Sequence, residues 1–158
     1  NGVIPIVAYN YGASRGRRMR ETIRLAIIYA ASIMTAGTLL FELIPGQLFS
    51  MFNASDHMLS MGIPALRIIA LHFPIASVCI ILGTVFQSLG NGVYTMITSI
   101  MRQIVVLLPA AFLLSLTGNV NNIWWSFPIA EIASLTVTLF FYTRINRDVI
   151  SRIPEGVS

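Results

Sequence analysis

The sequence predicts an all-α fold, a polytopic bundle of transmembrane helices, and composition and charge placement carry that expectation. Of 158 residues, 56% are hydrophobic and only 10% charged, far more apolar surface than one water-soluble core of this size buries. The apolar residues gather in runs of about 20 or more, the length a helix needs to cross about 30 Å of hydrocarbon. The arginines stand mostly at the ends of these runs.

Taken in order, residues 1–13 are too short to span, reaching only about 20 Å as a helix. They are expected to be the end of a helix that starts earlier in a longer protein, with no basic start and small-residue cleavage site to mark a signal peptide. The first full span is Leu25 to Pro45, with Glu42 its single ionisable residue near the far end, where it should reach water. The second is Ile68 to Leu89, holding His72 and a mid-run Pro74 that neighbouring helices or water must accommodate. Val93 to Leu116 carries Arg102 and Pro109, and Ile123 to Thr143 carries Pro128 and Glu131. Trp124 and Trp125 open this last run where interfacial aromatics prefer to lie. Residues 144–158 form a tail, and Pro154 and Gly156 within it suggest a short mobile terminus.

Eight of the ten basic residues lie in two clusters, Arg15 to Arg24 before the first span and Arg144 to Arg152 after the fourth. Four crossings between them put both clusters on one side, and the positive-inside rule makes that side cytoplasmic. The basic loop and the tail then face the cytoplasm across the plasma (cytoplasmic) membrane. The segment Gly46 to Arg67 and the loop Thr117 to Asn122 face outward. Within the former, Gly46 to Met58 mixes Leu48, Phe49, Met51 and Phe52 with polar residues, as a short helix lying in the outer interface would.

Several function classes drop out. The net charge of +4 does not signal nucleic acid, because the arginines flank hydrophobic spans instead of sharing one soluble face. Cys79 is alone, and no CxxC, HExxH or clustered His and Cys pattern suggests a metal or redox site. No nucleophile and base stand at recognisable spacing at membrane depth, so an enzyme is not expected.

Polar groups inside the spans carry the remaining signal, because intramembrane ionisable residues mark ion or solute pathways. Glu131 lies about seven residues, or roughly 11 Å, inside the fourth span and is the leading candidate for a cation-attracting or proton-carrying group; a structural carboxyl bonded to a neighbouring helix is the alternative. Arg102 must find a carboxylate, backbone carbonyls or a water-filled vestibule, and a helix-linking role suits it. Gln87, Asn91 and Gln103 cluster around the inner turn and could line a vestibule or simply satisfy backbone groups. His72 reads as a satisfied interhelical histidine. Pro5, Pro74, Pro109 and Pro128 fall in four different helical segments, each removing a backbone donor and permitting a kink.

The stretch Pro5-Ile-Val-Ala-Tyr-Asn-Tyr-Gly-Ala13, followed by the arginine-rich segment, resembles the end of the eighth helix of multidrug and toxic compound extrusion (MATE) exporters, where a PxxxxNxGA pattern precedes a basic loop. Phe86 to Gly92 (FQSLGNG), Arg102-Gln103, Pro109 and Trp124 to Glu131 (WWSFPIAE) keep the family's order. The resemblance implies that the chain is the C-terminal lobe fragment of a twelve-helix, two-lobed transporter, its spans being helices nine to twelve. It also implies a secondary active antiporter that exports small-molecule drugs or organic cations while sodium ions or protons enter, working in the lipid bilayer with the missing N-terminal lobe. Asn10, within the matching pattern, joins Glu131, Arg102 and Gln87 as a pathway or coupling candidate. The family's coupling carboxylates on the first and seventh helices lie outside this chain. The acidic residue some members carry on the tenth has no counterpart in Ile68 to Leu89. A lipid-linked oligosaccharide flippase of the same superfamily, or a non-transporting membrane fragment, are the competing readings; the former calls for more basic residues at depth than Arg102 alone.

Overall fold

A computed structural model describes residues 2–155, and among them every regular element is helical. The chain begins with helix α1 (Val3–Gly12), turns through Ala13 to Arg15, and enters helix α2 (Gly16–Leu43). With 28 residues, α2 is about 42 Å long, more than the hydrocarbon needs. Its first turns therefore carry Arg17, Arg18, Arg20 and Arg24 beyond the apolar stretch. The basic segment expected as a loop is thus mostly helix. At the other end Ile44 leaves helical geometry with φ −130° and ψ 43°, as a residue before proline tends to do, and Pro45 opens helix α3 (Pro45–Ser50) from a first-turn position.

Helix α3 is shorter than the interfacial helix expected over Gly46 to Met58, because Ser55 starts a new one. Its hydroxyl caps helix α4 (Asp56–Ala70) by accepting from the Met58 N–H at 3.3 Å. Gly62 on α4 lets the Phe49 ring of α3 lie flat against it; a Cβ there would stand 2.5 Å from the ring's Cζ.

The apolar run Ile68 to Leu89 is not one helix. It breaks at Leu71 and His72, and helix α5 (Phe73–Ser88) leaves α4 at a bend of 49°. Pro74, expected in mid-span, occupies the first turn of α5, where its missing N–H has no intrahelical acceptor to lose. Thr38 of α2 steadies the bend by donating its hydroxyl to the Ala70 carbonyl at 2.9 Å.

Helix α6 (Gly92–Ile100) continues through a π-helical stretch (Met101–Leu107) into helix α7 (Leu108–Ser115). The wide turn precedes Pro109, whose ring in an unbroken α-helix would collide with the carbonyl of Val105. Gly118, at φ +73°, ends the rod, and a single turn, α8 (Val120–Ile123), leads through both tryptophans to helix α9 (Ser126–Asp148). By length and composition three helical rods can cross a membrane: Gly16–Leu43, Gly92–Ser115 and Val120–Arg152. The bent pair α4 and α5 makes a fourth crossing if counted together.

The packed core sits at the arginine-bearing end. There Val7 of α1, Met19 of α2, Phe86 of α5 and Ile145 of α9 converge, all within a few per cent of full burial. Tyr94 stacks on Phe141 with centroids 4.5 Å apart and meets Phe86 edge-on at 6.1 Å. The tail expected to be mobile is docked on this core over its described part, and α9 itself runs on to Asp148. A turn of 3₁₀ helix (Ile150–Arg152) buries Ile150 completely. The Gly16 N–H donates to the Pro154 carbonyl at 2.9 Å, and Arg20 pairs with Glu155 at 3.1 Å. Only a glycine fits there, because a Cβ on residue 16 would lie 2.9 Å from the carbonyl oxygens of both Ile153 and Pro154. The rest of the expected tail, 156–158, lies outside the described residues, as does Asn1.

Away from that end the helices present apolar side chains outward: Ile33, Leu43, Phe112 and Leu116 are each more than 60% exposed. Such faces suit a lipid solvent or a further protein surface, not water.

Candidate functional site

The π turn and α9 pack against each other, and this contact joins two side chains that are 29 positions apart in sequence. Arg102, second in the π turn, brings a guanidinium nitrogen to 3.6 Å from Glu131 Oε2, in the second turn of α9. The partners are unequally buried, the carboxylate side chain 4% exposed and the guanidinium 34%. Arg102 keeps an outlet to polar surroundings, whereas Glu131 has none but Arg102. The other carboxylate oxygen, Oε1, is buried with no protein hydrogen-bond partner among the described residues.

Two cavities flank the pair. The first, of about 190 Å³, lies between α5, the α6 rod and α9, and Gln87, Thr95, Thr98, Arg102, Ser134 and Thr138 line it. It exists because α5 offers small side chains to α9: Cys79 and Gly83 leave a gap that leucines would close. Thr95 ties its far wall by donating to the Gly83 carbonyl at 2.9 Å. The second, of about 340 Å³, is bounded by Met34, His72, Phe127, Arg102, Gln103 and Glu131. Its walls are more apolar and aromatic, with the His72 ring stacked near Phe127 at 6.2 Å and edge-on to Phe73 at 5.2 Å.

Of the four residues singled out from sequence, three converge here. Glu131 and Arg102 form the pair, and Gln87 stands exposed at the mouth of the first cavity, one residue from the end of α5. Asn10 does not join them. It is buried in α1, bonds the Ile6 carbonyl of its own helix at 2.8 Å, and accepts the Arg15 N–H on its backbone oxygen at 2.8 Å. It closes the turn into α2 and lines neither cavity.

Three other expectations change. Asn91 serves the turn after α5, its N–H bonding the Phe86 carbonyl at 2.8 Å, instead of facing a vestibule. His72 is not satisfied by a neighbouring helix, since its Nδ1 is buried without a partner among the described residues. Glu42 is half-buried, with Oε1 likewise buried and unpartnered, not held out to water.

Sequence reasoning passed over Ser134 and Thr138, whose hydroxyls are 1% and 0% exposed by residue and have no partner among the described residues. Their spacing of three and seven from Glu131 was the available signal, since those positions share a helix face. Among the described residues no three His, Cys, Asp or Glu side chains gather where a metal ion could sit.

Membrane-length helices, two of them broken at prolines, around a buried ion pair set between two cavities define a multi-pass membrane transporter and not an enzyme. The MatE family model matches residues 1–113, and the chain belongs to that family. It is similar to the multidrug export protein MepA of Staphylococcus aureus (strain bovine RF122 / ET3-1), 24% identical over 159 residues that cover 98% of this chain and 35% of that protein. MepA of Staphylococcus haemolyticus (strain JCSC1435) is 23% identical over 152 residues, 96% of this chain and 33% of that one. The chain thus spans about a third of the length of the curated relatives it matches. Among solved structures, the MATE multidrug transporter DinF-BH, in complex with a small molecule, superposes with a TM-score of 0.83 at 32% identity, over 94% of this chain and 33% of that one. An inward-facing multidrug resistance MATE family transporter of the MOP superfamily shares the fold, with a TM-score of 0.83 at 18% identity over 95% and 35%.

Proposed function

We propose that the complete protein is a secondary active exporter of drugs or organic cations, driven by a sodium or proton gradient, and that this chain forms most of its C-terminal lobe. The observation that carries the reading is a carboxylate, Glu131, buried beside two cavities and held by a single partner, Arg102, that keeps its own access to polar surroundings. Burying a charge in this way is costly and is retained where a pathway needs it. The names of the relatives support the substrate class: MepA is a multidrug export protein, and DinF-BH is a multidrug transporter whose structure holds a small molecule.

In this reading the arginine-bearing end, where the first turns of α2 and the tail meet, faces the cytoplasm of a plasma membrane. The missing N-terminal lobe supplies the other wall of the pathway, so residues 1–158 alone carry nothing across.

The test is ethidium accumulation in drug-sensitive cells expressing the complete protein. Expression should lower accumulation while a gradient stands, and collapsing the proton or the sodium gradient in turn names the coupling ion. Glu131→Gln should abolish the effect at unchanged protein level. Normal export by that variant would retire Glu131.

A further inference from the structure

The hydroxyls of Ser134 and Thr138 are buried, unpartnered among the described residues, and lie on the same face of α9 as Glu131. A buried hydroxyl without a partner costs free energy unless water satisfies it. The 190 Å³ cavity they line has room for several waters at about 30 Å³ each. That cavity reaches Gln87, which is exposed beside the Ser88 to Asn91 turn at the arginine-bearing end.

We propose that Glu131 exchanges protons with the arginine-bearing side through a hydrated path along α9, in which the Thr138 and Ser134 hydroxyls and intervening waters form the relay. A proton from bulk water at the Gln87 mouth passes along these O–H groups, each accepting one proton and releasing another, and ends on the free Oε1 of Glu131. This rests on reading Glu131 as the coupling carboxylate and deepens it by giving the route and the side of access.

The spacing favours a relay over a bound sodium ion. Residues 131 and 138 are about 10.5 Å apart along the helix axis, too far for one ion to touch both side chains, yet a distance that Ser134 and waters bridge. The charged and titratable groups facing Glu131 are few: Arg102 from the π turn, Cys79 from α5, and His72 across the second cavity at the α4 and α5 bend. Arg102 favours the carboxylate, so proton arrival weakens the ion pair. Gain or loss of one proton therefore changes how firmly the π turn is held to α9.

The experiment uses the complete protein in native membranes with Cys79→Ala and any other cysteine replaced, carrying Ser134→Cys, Thr138→Cys or, as an exposed control, Ser151→Cys. A small hydrophilic methanethiosulfonate reagent applied from the arginine-bearing side should modify Ser151→Cys fastest, then Thr138→Cys, then Ser134→Cys. Modification of the control alone overturns the hydrated path. In the cysteine-containing protein, Ser134→Ala with Thr138→Val should slow proton-driven ethidium export several-fold while ethidium affinity is unchanged, and Thr138→Ser should export normally. Unimpaired export by the double variant overturns the relay. Normal export by Glu131→Gln removes the underlying coupling role, and the labelling result then still decides whether the path is hydrated.

Discussion

Replacing Arg102 with Gln, Glu131 with Gln, and both together tests whether the two side chains hold each other at membrane depth. Two unit charges 3.6 Å apart attract by about 1 kcal/mol in water and by about 4.6 kcal/mol at the effective dielectric of 20 typical of protein sites. Glu131 is nearly sealed and Arg102 a third exposed, so the real coupling lies between these limits, at about 2 kcal/mol after discounting for screening.

The unequal burial adds a direction. Glu131→Gln releases an arginine that can still reach polar surroundings and should cost little. Arg102→Gln strands a carboxylate with no other cationic partner and should cost more, as removing one side of a buried pair generally does. Adding Glu131→Gln to Arg102→Gln should then restore part of the loss. The assay is the melting temperature of the complete protein in detergent, with Arg102→Gln lowest, the double variant above it and Glu131→Gln nearest the parent. Strictly additive losses, or an Arg102→Gln protein that melts with the parent, would show that the pair is not energetically coupled.

Two further outcomes follow from the packing. Gly16→Ala forces a methyl group within 2.9 Å of two backbone oxygens and should free the tail, exposing Ile150 at a cost of about 2 kcal/mol; protease cleavage after Arg152 in the variant but not the parent reports it, and equal protection in both refutes the docking. Thr38→Val removes the hydroxyl that reaches the Ala70 carbonyl at 2.9 Å and should cost about 1 kcal/mol. A melting temperature equal to the parent's would mean that the bend does not depend on this bond.

Much of the architecture was legible in the sequence. Apolar runs bounded by arginines dictate an all-α membrane bundle, and the motif order from Pro5 to Glu131 pointed to the family that the MatE match establishes. Proline positions were legible only in part. Pro74, Pro109 and Pro128 mark breaks, but each falls in the first turn of a helical segment and not in the middle of a span. A proline's effect depends on which residue before it gives up helical geometry. Leu71 and His72 do so at the second crossing, and neither residue type announces it.

The site divides along the same line. Glu131 and Arg102 were each conspicuous as charges at depth, because the cost of such a charge follows from its distance to the nearest polar end of the run. Their pairing was not, since it depends on how the π turn seats against α9, and no local spacing encodes that contact. Asn10 looked like a pathway group by its motif and proved to close a turn, because a buried amide serves the nearest backbone carbonyl first.

By itself the sequence determined what can be summed along the chain: apolar length, charge placement, helical periodicity and membership of a family. The tertiary structure alone decided what depends on two distant segments meeting. Those features are the ion pair, the hydroxyl stripe turned toward a cavity left by Cys79 and Gly83, and the tail seated on Gly16. Transfer to lipid is nearly additive residue by residue, so it can be read from a single strand of text. Ion pairing, cavity shape and close backbone approach are decided within an ångström by long-range packing, which no single segment carries.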